Sequence, residues 1–147
     1  MDTLITILHV ATAVFIVGPM AIIPMTGLRA LRSGSAGQVR TLAKPATIFS
    51  WLSLVTFVLG FGAMGMAPAK YHLSFTTPWI LWSVILYVIA FVLSVFVAVP
   101  QMNKAADRLE QTPEGGAAAA GYGGIAASNG IAALLLVAVV VLMVWKP

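Results

Sequence analysis

The stretch TPWILWSVILYVIAFVLSVFVAVP, residues 77–100, decides the fold. From Pro78 to Val99 it carries no charged side chain, and its length matches the ~20 apolar residues a helix needs to cross ~30 Å of hydrocarbon. Thr77 is a good N-cap, and Pro78 suits the first helical position, where a missing N–H costs nothing. The run lacks the alternation of a barrel strand. Hydrocarbon satisfies no backbone polar group, so a helix is the form left to it. Pro100 is expected to bend or end the helix, with Gln101–Glu110 continuing as a short surface helix until Thr112-Pro113 stops it.

Three more such stretches lie around it, so the spans fall at residues 4–27, 46–67, 78–99 and 124–145. The fold class is all-α, a four-helix membrane bundle forming one domain over residues 1–147. The whole chain is 61% hydrophobic and only 8% charged, with a mean hydropathy of +1.02. That composition excludes water as the solvent for most of it. Residues 1–5 place no basic flank before the first apolar run, which is long and lacks a small-residue cleavage pattern. It reads as a retained helix, not a signal peptide. Lys44-Pro45 can start the second helix, Gly115–Gly124 forms an alanine- and glycine-rich approach to the fourth, and Pro19 and Pro24 should kink the first.

Orientation follows from the basic residues. Arg29, Arg32, Arg40, Lys44, Lys104 and Arg108 fall in the first and third connections, against Lys70 and Lys146 on the other side. Six against two puts those connections in the cytoplasm and both termini outside, in the plasma membrane of a bacterium-like cell. Trp79, Trp82, Tyr71 and Trp145 then mark the outer boundary, Trp51 and Tyr122 the inner. Arg29, Arg32, Arg40 and Lys44 would attract anionic lipid headgroups by ~1 kcal/mol each. No nucleic-acid partner is expected, because nothing aromatic is interleaved with the basic residues.

Little in the chain can carry chemistry. It has no cysteine, which excludes disulfides, thiolate-held zinc, iron–sulfur clusters and c-type haem. Its acids, Asp2, Asp107, Glu110 and Glu114, all lie in termini or connections, so no span offers a carboxylate for acid–base work or proton coupling. No catalytic residue is assigned. The one ionisable group inside a span is His9, with Thr6 and Thr12 at helical spacing. Read plainly, His9 bonds a neighbouring helix. Read sharply, it is a cofactor ligand for haem or copper, with His72, Met64 and Met66 as companion metal ligands, since thioether and imidazole suit Cu(I) or haem iron. Thr12, Gly60, Ser83, Tyr87 and Asn129 are assigned to helix packing, as small residues let backbones approach and hydroxyls bond across.

Leu8-His9-Val10 followed by Val17-Gly18, then a basic connection and three more spans, resembles bacterial predicted integral membrane proteins of unknown function. That group is loosely similar to copper-resistance protein D-like and membrane protoporphyrinogen oxidase-like bundles. The resemblance implies a role for the early histidine, His9, while no second histidine lies in a later span to pair with it. The expectation is a non-enzymatic accessory subunit of a larger bacterial membrane complex, respiratory or envelope, with other membrane proteins or a second copy as partner and no cofactor. The alternatives are a haem- or copper-binding redox protein centred on His9 and, third, a small-solute transporter.

The topology is checked by single cysteines at Ser35, Ser74 and Gly116 labelled in intact cells with an impermeant thiol reagent. Reaction at position 74 alone is expected; labelling at 35 or 116 but not 74 reverses the orientation.

Overall fold

The computed structural model describes residues 2–112, 116 and 120–147. Pro113, Glu114 and part of the Gly115–Gly124 approach lie outside the described residues, as does the side chain of Asp2. The helices are α1 (Asp2–Thr12), a π-helical segment (Ala13–Val17) leading into α2 (Gly18–Arg32), α3 (Ala36–Gly65), α4 (Pro78–Val92), a second π-helical segment (Leu93–Ala98) leading into α5 (Val99–Gln111), and α6 (Tyr122–Trp145). A short 3₁₀ turn, Ala69–Tyr71, lies between α3 and α4. Four of the resulting rods are long and apolar enough to span a membrane: Thr3–Arg32, Ala36–Gly65, Pro78–Gln111 and Tyr122–Trp145. The all-α four-span reading therefore stands.

Three helix boundaries differ from expectation. The first helix runs on to Arg32, the second starts at Ala36 with Pro45 inside it, and the third runs unbroken past Pro100 to Gln111. The basic residues accordingly ride on helix extensions: Arg29 and Arg32 end α2, Arg40 and Lys44 begin α3, and Lys104 and Arg108 lie on α5. Only Ser33–Ser35 separates the first two rods.

The two π-helical segments show how helices pass their prolines. Ala13-Val14-Phe15-Ile16-Val17-Gly18-Pro19 and Ser94-Val95-Phe96-Val97-Ala98-Val99-Pro100 align with Val-Phe and Pro in register. In each, the residue before proline donates its N–H five residues back, Gly18 to the Ala13 carbonyl and Val99 to the Ser94 carbonyl. A proline ring in a regular helix collides with the carbonyl four residues earlier, here Phe15 or Phe96. A wider turn relieves that collision without ending the helix. Rods one and three are thus built alike, and each is followed by an antiparallel rod.

Rod two lies between one and three, and rod four closes the ring between three and one. At the basic end Arg32 sits over the Tyr122 ring at 4.8 Å, and at the other Lys146 approaches the Trp79 ring at 5.8 Å. Both termini therefore share the end opposite the basic residues. Packing is densest at the basic end, where Ala30, Leu31, Val39, Ala43, Met102, Ala105, Ala106, Leu109 and Ile125 form one buried cluster. There Gly27 lets rods one and three approach, since a Cβ on it would stand 2.6 Å from Met102 Cε. A second cluster, Met20, Tyr87, Ala90 and Leu136, fills mid-bundle. Toward the termini the bundle opens: among the described residues none from Thr3 to Pro19 is buried.

Between rods two and three aromatic side chains fill the space. Tyr87 stacks on Phe57 with centroids 4.7 Å apart, and Trp51 meets Phe91 edge-on at 5.5 Å. Tyr87→Phe keeps the stack and loses only its hydroxyl bond. It should cost at most the ~0.6–1.7 kcal/mol of an interhelical bond in a membrane. Tyr87→Ala, which empties the stack, should cost ~3–5 kcal/mol. Denaturation in mixed micelles measures both, and equal losses would contradict the aromatic filling.

Candidate functional site

The part of the molecule with the most defined polar geometry is the face where α1 meets α3. His9 reaches the neighbouring helix through its Nδ1, 2.9 Å from the Thr56 carbonyl oxygen. A carbonyl can only accept, so Nδ1 carries a proton, and in the neutral imidazole Nε2 then keeps its lone pair. The reach depends on Gly60, one turn along from Thr56. A Cβ at Gly60 would stand 3.0 Å from His9 Cε1 and 3.4 Å from Nδ1, so any other residue there crowds the imidazole. One turn nearer the N-terminus of α1, Ile5 finds the same room at Gly62, where an added Cβ would stand 2.5 Å from its Cδ1. The small residues of α3 thus seat α1 directly.

The remaining packing residues divide by where their hydrogen bonds go. Thr12 donates back along its own helix, to the Leu8 carbonyl at 2.9 Å or the His9 carbonyl at 3.0 Å. Ser83 does likewise to the Trp79 carbonyl at 2.7 Å. Tyr87 bonds across rods, its hydroxyl 2.7 Å from Ser53 Oγ, which also donates to the Ser50 carbonyl. That leaves the Tyr87 hydroxyl as the donor toward Ser53. Asn129 is buried, and its Nδ2 has no partner among the described residues, as is also true of Thr56 Oγ1. Each such orphan costs ~1–3 kcal/mol. Thr56 takes part through its main-chain carbonyl, which no side-chain pattern announces; its place four residues before Gly60 is what points to it.

The companion ligands proposed with His9 lie on α3 and on the connection that follows it. Met64 lies one turn beyond Gly60 on α3. Met66, at its end, lines a small apolar hollow of about 120 Å³ with Leu4, Ile5 and Leu8. His72 follows the 3₁₀ turn in a left-handed conformation (φ 45°) and is exposed. Among the described residues no three His, Asp or Glu side chains come together in a metal-binding group.

At the basic end, the four residues assigned to lipid are not equivalent. Arg29 and Lys44 are exposed, and Arg32 covers Tyr122. Arg40 binds Asp107 at 2.7 Å and Glu110 at 3.1 Å, linking α3 to α5. The hydrogen bond to Asp107, then that to Glu110, raises the Arg40 pKa above its ordinary value. Its guanidinium is turned toward those two acids.

A double-mutant cycle tests the His9–Gly60 geometry. Gly60→Ala should cost ~1 kcal/mol by displacing the imidazole from Thr56. In a His9→Ala background the same change should cost nothing or stabilise, since Ala is the better helix former. An equal cost in both backgrounds would show that the glycine serves something other than His9.

No curated protein and no solved structure matches the chain. A family model covering residues 3–147 does match, and the expectation drawn from Leu8-His9-Val10 and the four-span layout agrees with it as far as the family goes. Four apolar rods, an all-helical bundle and a match over nearly the full length lead to one assignment: the chain belongs to the family described as Predicted integral membrane protein (DUF2269), whose function is unknown.

Proposed function

We propose that this multi-pass membrane protein is a non-enzymatic accessory subunit of a plasma-membrane complex, held there by other membrane proteins along its first span. The observation carrying this reading is the unequal completion of the bundle. Only 6% of the most apolar stretch of the first span is buried, against 28% in the third and fourth. Its outer half, α1 with the π-helical segment that follows, rests on α3 and leaves Leu4, Ile7, Leu8, Val10, Val14 and Phe15 exposed. Another helix laid along that side would complete a fourth wall, and dispersion packing is the main drive for such association in lipid.

A second reading draws on His9. An imidazole whose Nδ1–H is held by a main-chain carbonyl is oriented as ligating histidines are, with Nε2 free to bind. Haem or copper would then be held at the open end of the bundle, by His9 and by a ligand from a partner.

Photo-crosslinking separates protein from lipid on the first span. A benzophenone side chain at Val10 or Val14 should give discrete protein adducts in native membranes, and one at Val137, on the exposed face of α6, only lipid adducts. Lipid adducts alone at all three positions would overturn the accessory-subunit reading. Purified protein should show no Soret band and no stoichiometric copper; a haem spectrum lost in His9→Gln would favour the second reading.

A further inference from the structure

The fourth rod begins beside a cavity of about 340 Å³ that none of the preceding assignments uses. One wall is α5, through Gln101, Lys104 and Arg108; the other is the start of α6, through Ala120, Gly121, Gly124 and Ile125. Lys104 and Arg108 are one helical turn apart, so both cations face the same space. The charges of α5 are sorted by direction: Asp107 and Glu110 turn to Arg40, while Lys104 and Arg108 line the cavity. Among the described residues, no carboxylate pairs with either cation.

The opposite wall adds to the positive charge. Gly121 takes a left-handed conformation (φ 87°) as N-cap of α6, supplies no side-chain cap, and no acid follows in the first turn. The Ile125 N–H reaches the Gly121 carbonyl at 3.3 Å, so the amides of Tyr122, Gly123 and Gly124 precede the first intrahelical bond. Arg108 lies across this end, its Nη1 3.1 Å from where a Cβ on Gly121 would be. A guanidinium against the positive end of a helix, with an ammonium beside it, is a repulsive arrangement when empty and a favourable one around an anion. Gln101 completes the wall. Its Oε1 lies 3.5 Å from the Ser128 hydroxyl, which leaves the amide Nε2 as a donor.

We propose that this cavity is a phosphate-binding site, with Arg108 and Lys104 neutralising the anion, and the first amides of α6 and the Gln101 amide donating hydrogen bonds to it. The ligand chemistry is a tetrahedral phosphate oxyanion. Gln101 follows Pro100 just beyond the apolar part of the third span, which places the cavity at headgroup depth. A phospholipid headgroup entering sideways and a soluble phosphate entering from the aqueous side offer the same group.

The test uses the full chain in neutral maltoside micelles and phosphate-free buffer at constant ionic strength, so that no phosphate group is present at the start. In one arm inorganic phosphate is titrated and thermal unfolding followed; in the other, phosphatidylglycerol is added to the micelles. A rise in Tm with phosphate identifies a soluble ligand, a rise with phosphatidylglycerol alone a headgroup, and either supports the site. The Lys104→Gln/Arg108→Gln variant should weaken the effective arm about tenfold or more, the loss that accompanies one charge-assisted hydrogen bond. Arg29→Gln/Lys44→Gln, with the same net charge, should respond as the wild type does. Without anion, the Lys104→Gln/Arg108→Gln variant should unfold no earlier than the wild type, because it has lost a repulsion. Lys104→Gln alone, with an intermediate response, serves if the double variant does not fold. No rise in either arm, a rise undiminished in the Lys104/Arg108 variant, or an equal loss in the Arg29/Lys44 variant would overturn the site.

Discussion

Hydrocarbon offers no hydrogen-bond partner, and the arrangement of the bundle follows from that constraint. Most hydroxyls in the spans turn back on their own helices, as Thr12, Thr47, Ser50 and Ser83 do. The few side-chain bonds that cross between spans consequently decide how the rods sit. His9 ties the first to the second, Tyr87 the third to the second, and Gln101 lies against Ser128 of the fourth. Among these the His9–Thr56 bond matters most, because α1 has few other anchors. It exists only because Gly60 leaves the carbonyl within reach.

The two ends of the molecule are built on different physics. At the basic end small residues and close approach, such as Gly27 against Met102, give a dense core, and the Arg40 pairs with Asp107 and Glu110 sit on its surface. Those exposed ion pairs add orientation more than stability. At the termini end the rods separate, aromatic rings bridge the second and third, and the first span rests mainly on α3 along its N-terminal half. A bundle firm at one end and open at the other is suited to docking at the open end.

The span count and helical character were legible in the sequence because an uninterrupted apolar run such as 78–99 has one solution in lipid. Tyr87 and Gly60 were also legible as packing residues, through their spacing on otherwise aliphatic helices. The helix over Gln101–Glu110 and its stop at Thr112 were legible as well, but its unbroken continuation from rod three through Pro100 was not, since a proline after an apolar run usually marks a bend or an end; the π-helical turn before it, repeated before Pro19, shows why the helix continues. His9 could be singled out as the one ionisable group in a span, but not its partner. A main-chain carbonyl leaves no signature in a sequence, and Thr56 is distinguished only once Gly60 is seen beneath the imidazole. The separation of Lys104 and Arg108 from their acidic neighbours on α5 was likewise hidden, because it depends on where Arg40 comes to lie.

The most direct test is the position of the His9 proton, read by ¹⁵N NMR of the selectively labelled protein in lipid. A proton on Nδ1, with Nε2 unprotonated and a correlation from Nδ1 to the Thr56 carbonyl carbon, is the expected result. A proton on Nε2 with a bare Nδ1 would set two lone pairs facing each other at 2.9 Å and would contradict the way the first span is held.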